Sequence, residues 1–520
     1  MTSFFFSSSS PPSLPSLTFP LYTHNSPPPL PACTPTLSSL YTSCTVDFTS
    51  LSLPTPLPFA IPPPVLFTIL FTLLVVGFEY YLDVRQARQF RDKEEPKELF
   101  EIVAKVEKEV KDKPSKTKDG EKEGDNKKES LSSRMRSQFT SSSAYGLDKL
   151  TFSQLTKLVS ILETLAYLLL GLFPYFWTLS CAAGAKFGWN EKDDEIKISC
   201  FFFIISTFAG EITQLPFSLY SQFVIEEKHG FNKNTLGLFV TDKLKSQALT
   251  YAIGSPFLAL LLKIVHTFGE KFYIYVWGLL LFFSIFMLTV YPAFIMPMFN
   301  KFTPLEEGEL KTKIEDLAGT INYPLTKLFV IDGSKRSSHS NAFMFGFGKN
   351  KRIVLFDTLL NQVNENELLS ILGHELGHWA LSHTAINFLV TQLYFGAAFY
   401  TFGIFQDYPQ LYAAFGFPMD GVPSIVALFL FFQTVWAPVD KVISFLLTLN
   451  SRSCEYQADK YSIAKLRQTG LKSGLTKIHL ENLGAMKVDW IYSMYHHSHP
   501  TLGERLKRMG EEEAKLVKMD

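Results

Sequence analysis

Seven stretches of the 520-residue chain stay apolar for long enough to cross a bilayer, which takes about 20 residues of helix. They lie near 65–82, 158–182, 198–219, 247–266, 273–298, 385–405 and 424–449. The first is short by itself, but Ile61 and the prolines before it extend it. The sixth and seventh are interrupted by Gly396, Gly403, Pro438 and Asp440, which softens their edges. Buried helices of a soluble enzyme are the alternative, and seven such stretches in one chain argue against it. Composition agrees: 47% of residues are hydrophobic, only 19% are charged, and there are 49 phenylalanines. That excludes a mainly disordered chain. The expected fold class is an all-α polytopic membrane protein with seven transmembrane helices.

The basic residues orient this bundle. None precedes the first span; the segment 83–157 holds 18, and the following connections hold three, four, one, nine and none, with twelve in the tail from 450. The first, third and fifth loops and the tail are therefore expected in the cytosol, with the N-terminus lumenal or external. Residues 1–64, rich in Ser, Pro, Thr and Leu, cannot build a packed core and are expected to be disordered. They are Ser-rich and acid-poor like a plastid transit peptide, yet carry no Lys or Arg. The lysine/glutamate run within 106–143 reads as a solvated, flexible insertion. The remaining division is 65–298 for spans one to five, 299–384 for a cytosolic loop domain, 385–449 for spans six and seven, and 450–520 for a cytosolic tail. Glu79, Glu163, Glu211, Lys263, Asp440 and Lys441 fall within or beside spans, where charges usually face a protein-lined interior; for Lys263 and Asp440 the alternative is snorkelling at a span end.

The strongest chemical signal is His374-Glu375-Leu376-Gly377-His378, inside a segment, Glu365–His383, that reads as one helix. Positions i and i+4 share a helix face, so both imidazoles can point at one ion, while Glu375 can act on water held there. Apolar residues flank the motif on both sides, and burying two His and one Glu without a task is expensive. A catalytic zinc site needs a third protein ligand and an open fourth position. The sequence Trp379-Ala380-Leu381-Ser382-His383 lacks the metzincin spacing, so that class is excluded. The candidate third ligand is Glu455, in Ser451–Asp459, a helix-like segment that begins as the last span ends. Asp459 lies four residues on, on the same face, placed to accept the N–H of a ligand histidine. The five cysteines form no CxxC pair, which excludes a disulfide scaffold or a cysteine-based zinc finger.

With these residues in view the chain resembles the type I CAAX prenyl proteases. The matching segments are Phe223–Gly237 (FVIEEKHGFNKNTLG), Ser338–Ala342 (SHSNA), Lys349–Leu360 (KNKRIVLFDTLL), His374–His378, Ser451–Asp459 and Ser498–Leu506 (SHPTLGERL). The resemblance covers about 60–520, leaves the extension and the charged insertion without a counterpart, and shows Thr501 where a proline is usual. It implies a barrel-like chamber of seven helices closed by a cytosolic gluzincin-type protease domain in the endoplasmic reticulum membrane. It implies one Zn2+ per chain, held by His374, His378 and Glu455, with Glu375 as general base. His499 would donate to the oxyanion and Arg505 would help hold that region; without the resemblance His499 reads as a tail histidine in a His-rich patch with His496 and His497. The implied substrates are isoprenylated proteins ending in Cys-a-a-X, which lose their last three residues. Asn341 and Ala342 lead into an expected strand–turn–strand whose exposed edge suits an extended substrate backbone, the alternative being an ordinary hairpin. Lysine plus arginine equals aspartate plus glutamate at 49 each, so net charge favours no polyanion, and the bilayer, not nucleic acid, is the expected surroundings. Two other readings are a membrane quality-control zinc protease of the heat-shock type and a catalytically silent scaffold or channel.

Overall fold

The computed structural model describes residues 61–112, 130–417 and 421–518. The Ser/Pro-rich extension therefore lies outside the described residues except for its last four, of which Pro63 and Pro64 open the first helix. Proline suits that position because its missing N–H has no intrahelical partner there anyway. Helix α1 runs Pro63–Arg91, α2 Lys97–Asp112, α3 Leu131–Leu170 and α4 Leu172–Ala185. The last two are bent by 66° at Gly171, whose φ of +61° suits a residue without Cβ. Helix α5, Glu195–Tyr220, contains Pro216 and widens into a π-helical turn over Ser221–Glu226. Helices α6 (Leu236–Phe268) and α7 (Phe272–Val290) fold back on one another, with Phe257 and Phe283 rings 4.4 Å apart. The short α8 (Met296–Phe299) closes that hairpin where Lys245 Nζ donates to the Met298 carbonyl at 2.8 Å.

Among the described residues four helical stretches are long and apolar enough to cross a membrane, or six if each of two bent pairs is one span. Beyond α1, α5 and the α6–α8 stretch these include α12 (His383–Phe405); the second bent pair is α14 (Ser424–Thr434) and α15 (Ala437–Ala464), which meet at 58°. The short α13 is Pro409–Ala413. Leu66, Phe67, Leu70 and Leu74 of α1, and Leu389 and Leu393 of α12, are exposed, as a lipid-facing surface requires. Inward, Phe173, Phe202, Phe272, Phe402, Phe431 and Trp436 pack into one aromatic-rich core. Two of the carboxylates in the spans are paired: Glu79 approaches Lys441 at 3.2 Å and Lys157 at 3.7 Å, and Glu211 meets Lys243 at 2.6 Å. Asp440 accepts from the Tyr394 hydroxyl at 2.7 Å, an internal partner that replaces the snorkelling reading.

A second core gathers chain from both ends of the molecule. Its sheet has the order β1-β2-β4-β3, with β1 Phe302–Pro304, β2 Leu325–Ile331, β3 Ala342–Phe347 and β4 Asn350–Phe356. Strands β2 and β4 are parallel, the outer pairs antiparallel, and Ala342 faces Leu355 across the β3–β4 hairpin. This part is therefore not purely helical, which amends the all-α expectation: the consecutive apolar residues Ile353, Val354 and Leu355 of β4 are all buried, as in a strand covered on both faces. Around the sheet lie α9 (Glu309–Gly319), α10 (Asp357–Gln362), α11 (Glu365–Ala380), α16 (Leu471–Glu481), α17 (Trp490–His496) and α18 (Leu502–Val517). Helix α11 starts at a capping box, where Asn364 and Glu367 exchange side-chain and backbone hydrogen bonds.

Two expectations are corrected. The segment about 106–143 is not a flexible insertion at its ends: α2 reaches Asp112, α3 begins at Leu131, and Val106, Met135 and Phe139 are buried. Leu99, Phe100, Val103 and Val106 form an apolar stripe at helical spacing, which the surrounding charges conceal in a composition count. Only 113–129 lies outside the described residues there. The expected single helix Glu365–His383 is two, since Ser382 adopts a left-handed conformation (φ 58°, ψ 25°) between α11 and α12.

Candidate metal centre

Two helices build the site. Helix α11 carries His374, Glu375 and His378, and α15, emerging from the bent span pair, carries Glu455 and Asp459. They cross closely because glycine lets them: a Cβ on Gly377 would sit 3.2 Å from Ala458 Cα and 3.2 Å from its carbonyl oxygen. Ser462 of α15 donates to the Ser370 carbonyl of α11 at 3.1 Å, which fixes the register of the crossing.

At that crossing the Nε2 atoms of His374 and His378 lie 3.2 Å apart. His374 Nε2 is 3.4 Å from Glu455 Oε2, and His378 Nε2 is 3.3 Å from Glu455 Oε1. All three residues offer an atom within 4.8 Å of the others, a donor set able to hold one metal ion. Chemically the set suits zinc, with two imidazoles and one carboxylate. Glu455 Oε2 supports the fit: it is buried without a well-formed hydrogen bond, although His499 Nδ1 lies 3.0 Å away.

Carboxylates and a guanidinium back this group. His374 Nδ1 faces Asp459 Oδ1 at 2.9 Å. Arg505 of α18 grips Asp459 with two nitrogens, Nη2 to Oδ1 at 2.6 Å and Nε to Oδ2 at 2.9 Å. Its Nη1 stands 3.3 Å from Glu455 Oε2. Burial disfavours a charged imidazole at His374, but the hydrogen bonds and charges of Asp459 and Glu455 outweigh it and push its pKa up to about 10. Burial likewise disfavours the Arg505 cation, and Asp459 and Glu455 more than restore it.

The remaining expected residues fall at definite places. Glu375 is half-buried on α11. Ala342 opens β3, an edge strand of the sheet, and Asn341, just before the strand, accepts from the Ala342 N–H with its side chain at 2.8 Å. The three tail histidines diverge. His496 and His497 turn to Tyr492, with ring centroids 4.6 Å and 5.5 Å away, and burial brings both pKa values down to about 4. His499 alone of the three reaches Glu455.

Sequence reasoning missed Arg452 and His383. Arg452, buried three residues before Glu455, donates to the carbonyls of Ser493, His497 and His499 at 3.3–3.4 Å and holds both Glu504 oxygens at 3.0 Å. It lies inside the Ser451–Asp459 motif, and an arginine on the buried face of a helix is the signal that marks it. His383 lies 3.0 Å from His378, nitrogen to nitrogen. It follows the motif so closely that it reads as its continuation.

Residues 127–301 match the family described as CAAX prenyl protease N-terminal, five membrane helices, and residues 304–513 match peptidase family M48. The CAAX prenyl protease 1 homolog of Arabidopsis thaliana is 39% identical over 446 residues, covering 86% of this chain and 97% of that protein. The Homo sapiens homolog is 41% identical over 408 residues, covering 71% of this chain and 86% of its own. The crystal structure of S. mikatae Ste24p is similar with a TM-score of 0.74 at 34% identity, over 86% of this chain and 100% of that one. The chain belongs to the CAAX prenyl protease family of M48 membrane peptidases.

Proposed function

We propose that this protein is a zinc metalloendopeptidase that removes the last three residues of prenylated proteins ending in Cys-a-a-X. The observation that carries the reading is the convergence of His374, His378 and Glu455 from two helices onto one point, with Glu375 next to His374 in α11. The M48 match and the prenyl protease names of the relatives supply the reaction class and the substrate class. The match to the N-terminal membrane-helix family favours this reading over a quality-control protease of the heat-shock type. The intact metal-ligand group argues against a silent scaffold.

His374, His378 and Glu455 hold the ion, which when bound supplies Lewis-acid polarisation of the scissile carbonyl and acidifies water. Glu375 removes a proton from the attacking water and delivers it to the leaving amine. Asp459, clamped by Arg505, fixes the His374 ring with its Nδ1 proton toward the carboxylate. His499 stands beside Glu455 to donate to the carbonyl oxygen as negative charge grows there. The substrate backbone adds to the outer edge of β3 near Asn341 and Ala342, as an extended peptide adds to a sheet. Seven spans follow if the α6–α7 hairpin is two crossings and each bent pair is one, as the seven apolar stretches expect. The basic-residue bias then puts the metal centre and the tail in the cytosol and the N-terminus across an endoplasmic reticulum membrane.

The test is cleavage of a farnesylated Cys-a-a-X peptide by the purified full-length protein. Release of the tripeptide that stops with a chelator and returns with added zinc is expected. Equal rates with and without a chelator would remove the metal from the mechanism.

A further inference from the structure

His383 is the first residue of α12 and only 6% exposed, an unusual place for an imidazole at the mouth of an apolar helix. Its Nδ1 lies 3.0 Å from Nδ1 of His378, with ring centroids 5.1 Å apart and ring planes at 72°. Two imidazole nitrogens at this distance share one proton, so one donates and the other accepts. The opposite side of His378 assigns the roles. Its Nε2 faces Glu455 Oε1 at 3.3 Å and His374 Nε2 at 3.2 Å, where the three donor atoms converge. A neutral imidazole that offers Nε2 to an ion carries its proton on Nδ1. His378 therefore donates and His383 accepts.

We infer that His383 is a positioning residue of the metal centre, fixing the tautomer and ring orientation of His378. The inference rests on the metalloprotease reading and deepens it. The two imidazoles of the centre are then backed unequally: His374 by the carboxylate of Asp459 at 2.9 Å, His378 by a neutral ring. The chain is bent to achieve this. In an unbroken helix a residue five positions on would sit about 140° around the axis from His378. The left-handed Ser382 ends α11 and swings His383 back over it. The hydrogen bond thus joins the metal centre to the first turn of a candidate span.

Zinc and Co2+ binding to the metal-free full-length protein tests this, with affinity read by competition against a chromophoric chelator. His383→Leu removes the acceptor and should weaken zinc binding by about 10–100-fold. His383→Asn places an amide oxygen near the position of Nδ1 and should stay within about threefold of the parent, whereas His383→Gln sets its oxygen one bond further out and should resemble His383→Leu. The Co2+ absorption spectrum should change in the Leu and Gln variants and persist in the Asn variant. Parent-like affinity in His383→Leu, or equal damage in all three, would overturn the inference. If His383→Leu does not fold, the Asn and Gln variants decide the matter by the same contrast. A parent protein that binds neither ion would instead overturn the metal reading itself.

Discussion

Four side chains bring nitrogens within 3.4 Å of the Glu455 carboxylate: His374, His378, His499 and Arg505. Glu455→Ala should therefore lose the metal as well as activity, because two histidines alone hold zinc weakly. Glu375→Gln should keep stoichiometric metal and lose hydrolysis, since the role proposed for that carboxylate is to act on water and not to bind the ion. Elemental analysis beside peptide cleavage separates the two, and metal retained by Glu455→Ala would redirect the search to Asp459. Asp459→Asn should be milder, at about 10–100-fold in affinity or activity. His499→Ala should lower turnover by about 10²–10³-fold with metal content and KM nearly unchanged. His496→Ala and His497→Ala should be close to neutral; equal losses at all three positions would make the cluster structural. The ligand histidines are legible because their spacing is local. Glu455 is legible only once they are found, and Arg452 is marked only by its place on the buried face of that helix, because its partners are carbonyls in and just after α17, more than 40 residues away.

Helices α11 and α15 make the centre possible by approaching closely at Gly373 and Gly377. Gly377→Val would press a branched side chain on Ala458 and Tyr461, and overpacking of this kind costs about 1–3 kcal/mol. A lowered thermal midpoint together with weakened zinc binding is expected. An unchanged midpoint would mean that the crossing relaxes freely. Helix existence was readable from periodicity, as in the run from Glu365 to Ala380, but its end was not. The left-handed turn at Ser382 has no glycine or proline to announce it. Helix α2 was misread for the opposite reason: its charges dominate composition while its buried stripe is visible only at a period of 3.6 residues.

The two cores divide the molecule into a lipid-facing bundle and a compact protease body, tied by ion pairs such as Arg85 to Asp489 at 2.7 Å. The proposed orientation in the membrane rests on basic-residue counting. A glycosylation acceptor inserted before Pro63 should be modified in microsomes, and one inserted between α10 and α11 should not. Modification of the second would invert the orientation. The apolar stretches were legible along the whole chain because lipid demands long uninterrupted runs. How 299–384 joins the tail was not, since that assembly depends on contacts between residues more than a hundred positions apart, such as Lys477 with Glu367 at 2.7 Å.

Helix α15 runs without a break from Asp440, tied to Tyr394 inside the bundle, to Glu455 at the metal centre. Those fifteen residues make a rod of about 22 Å, so a tilt of about 5° at its anchored end would carry the carboxylate about 2 Å. That is as long as a zinc–ligand bond. Spanning helices adjust their tilt to the thickness of the bilayer around them. A lever of this length would make the membrane a mechanical input to the chemistry, and turnover in vesicles of graded acyl-chain length would read it like the needle of a strain gauge.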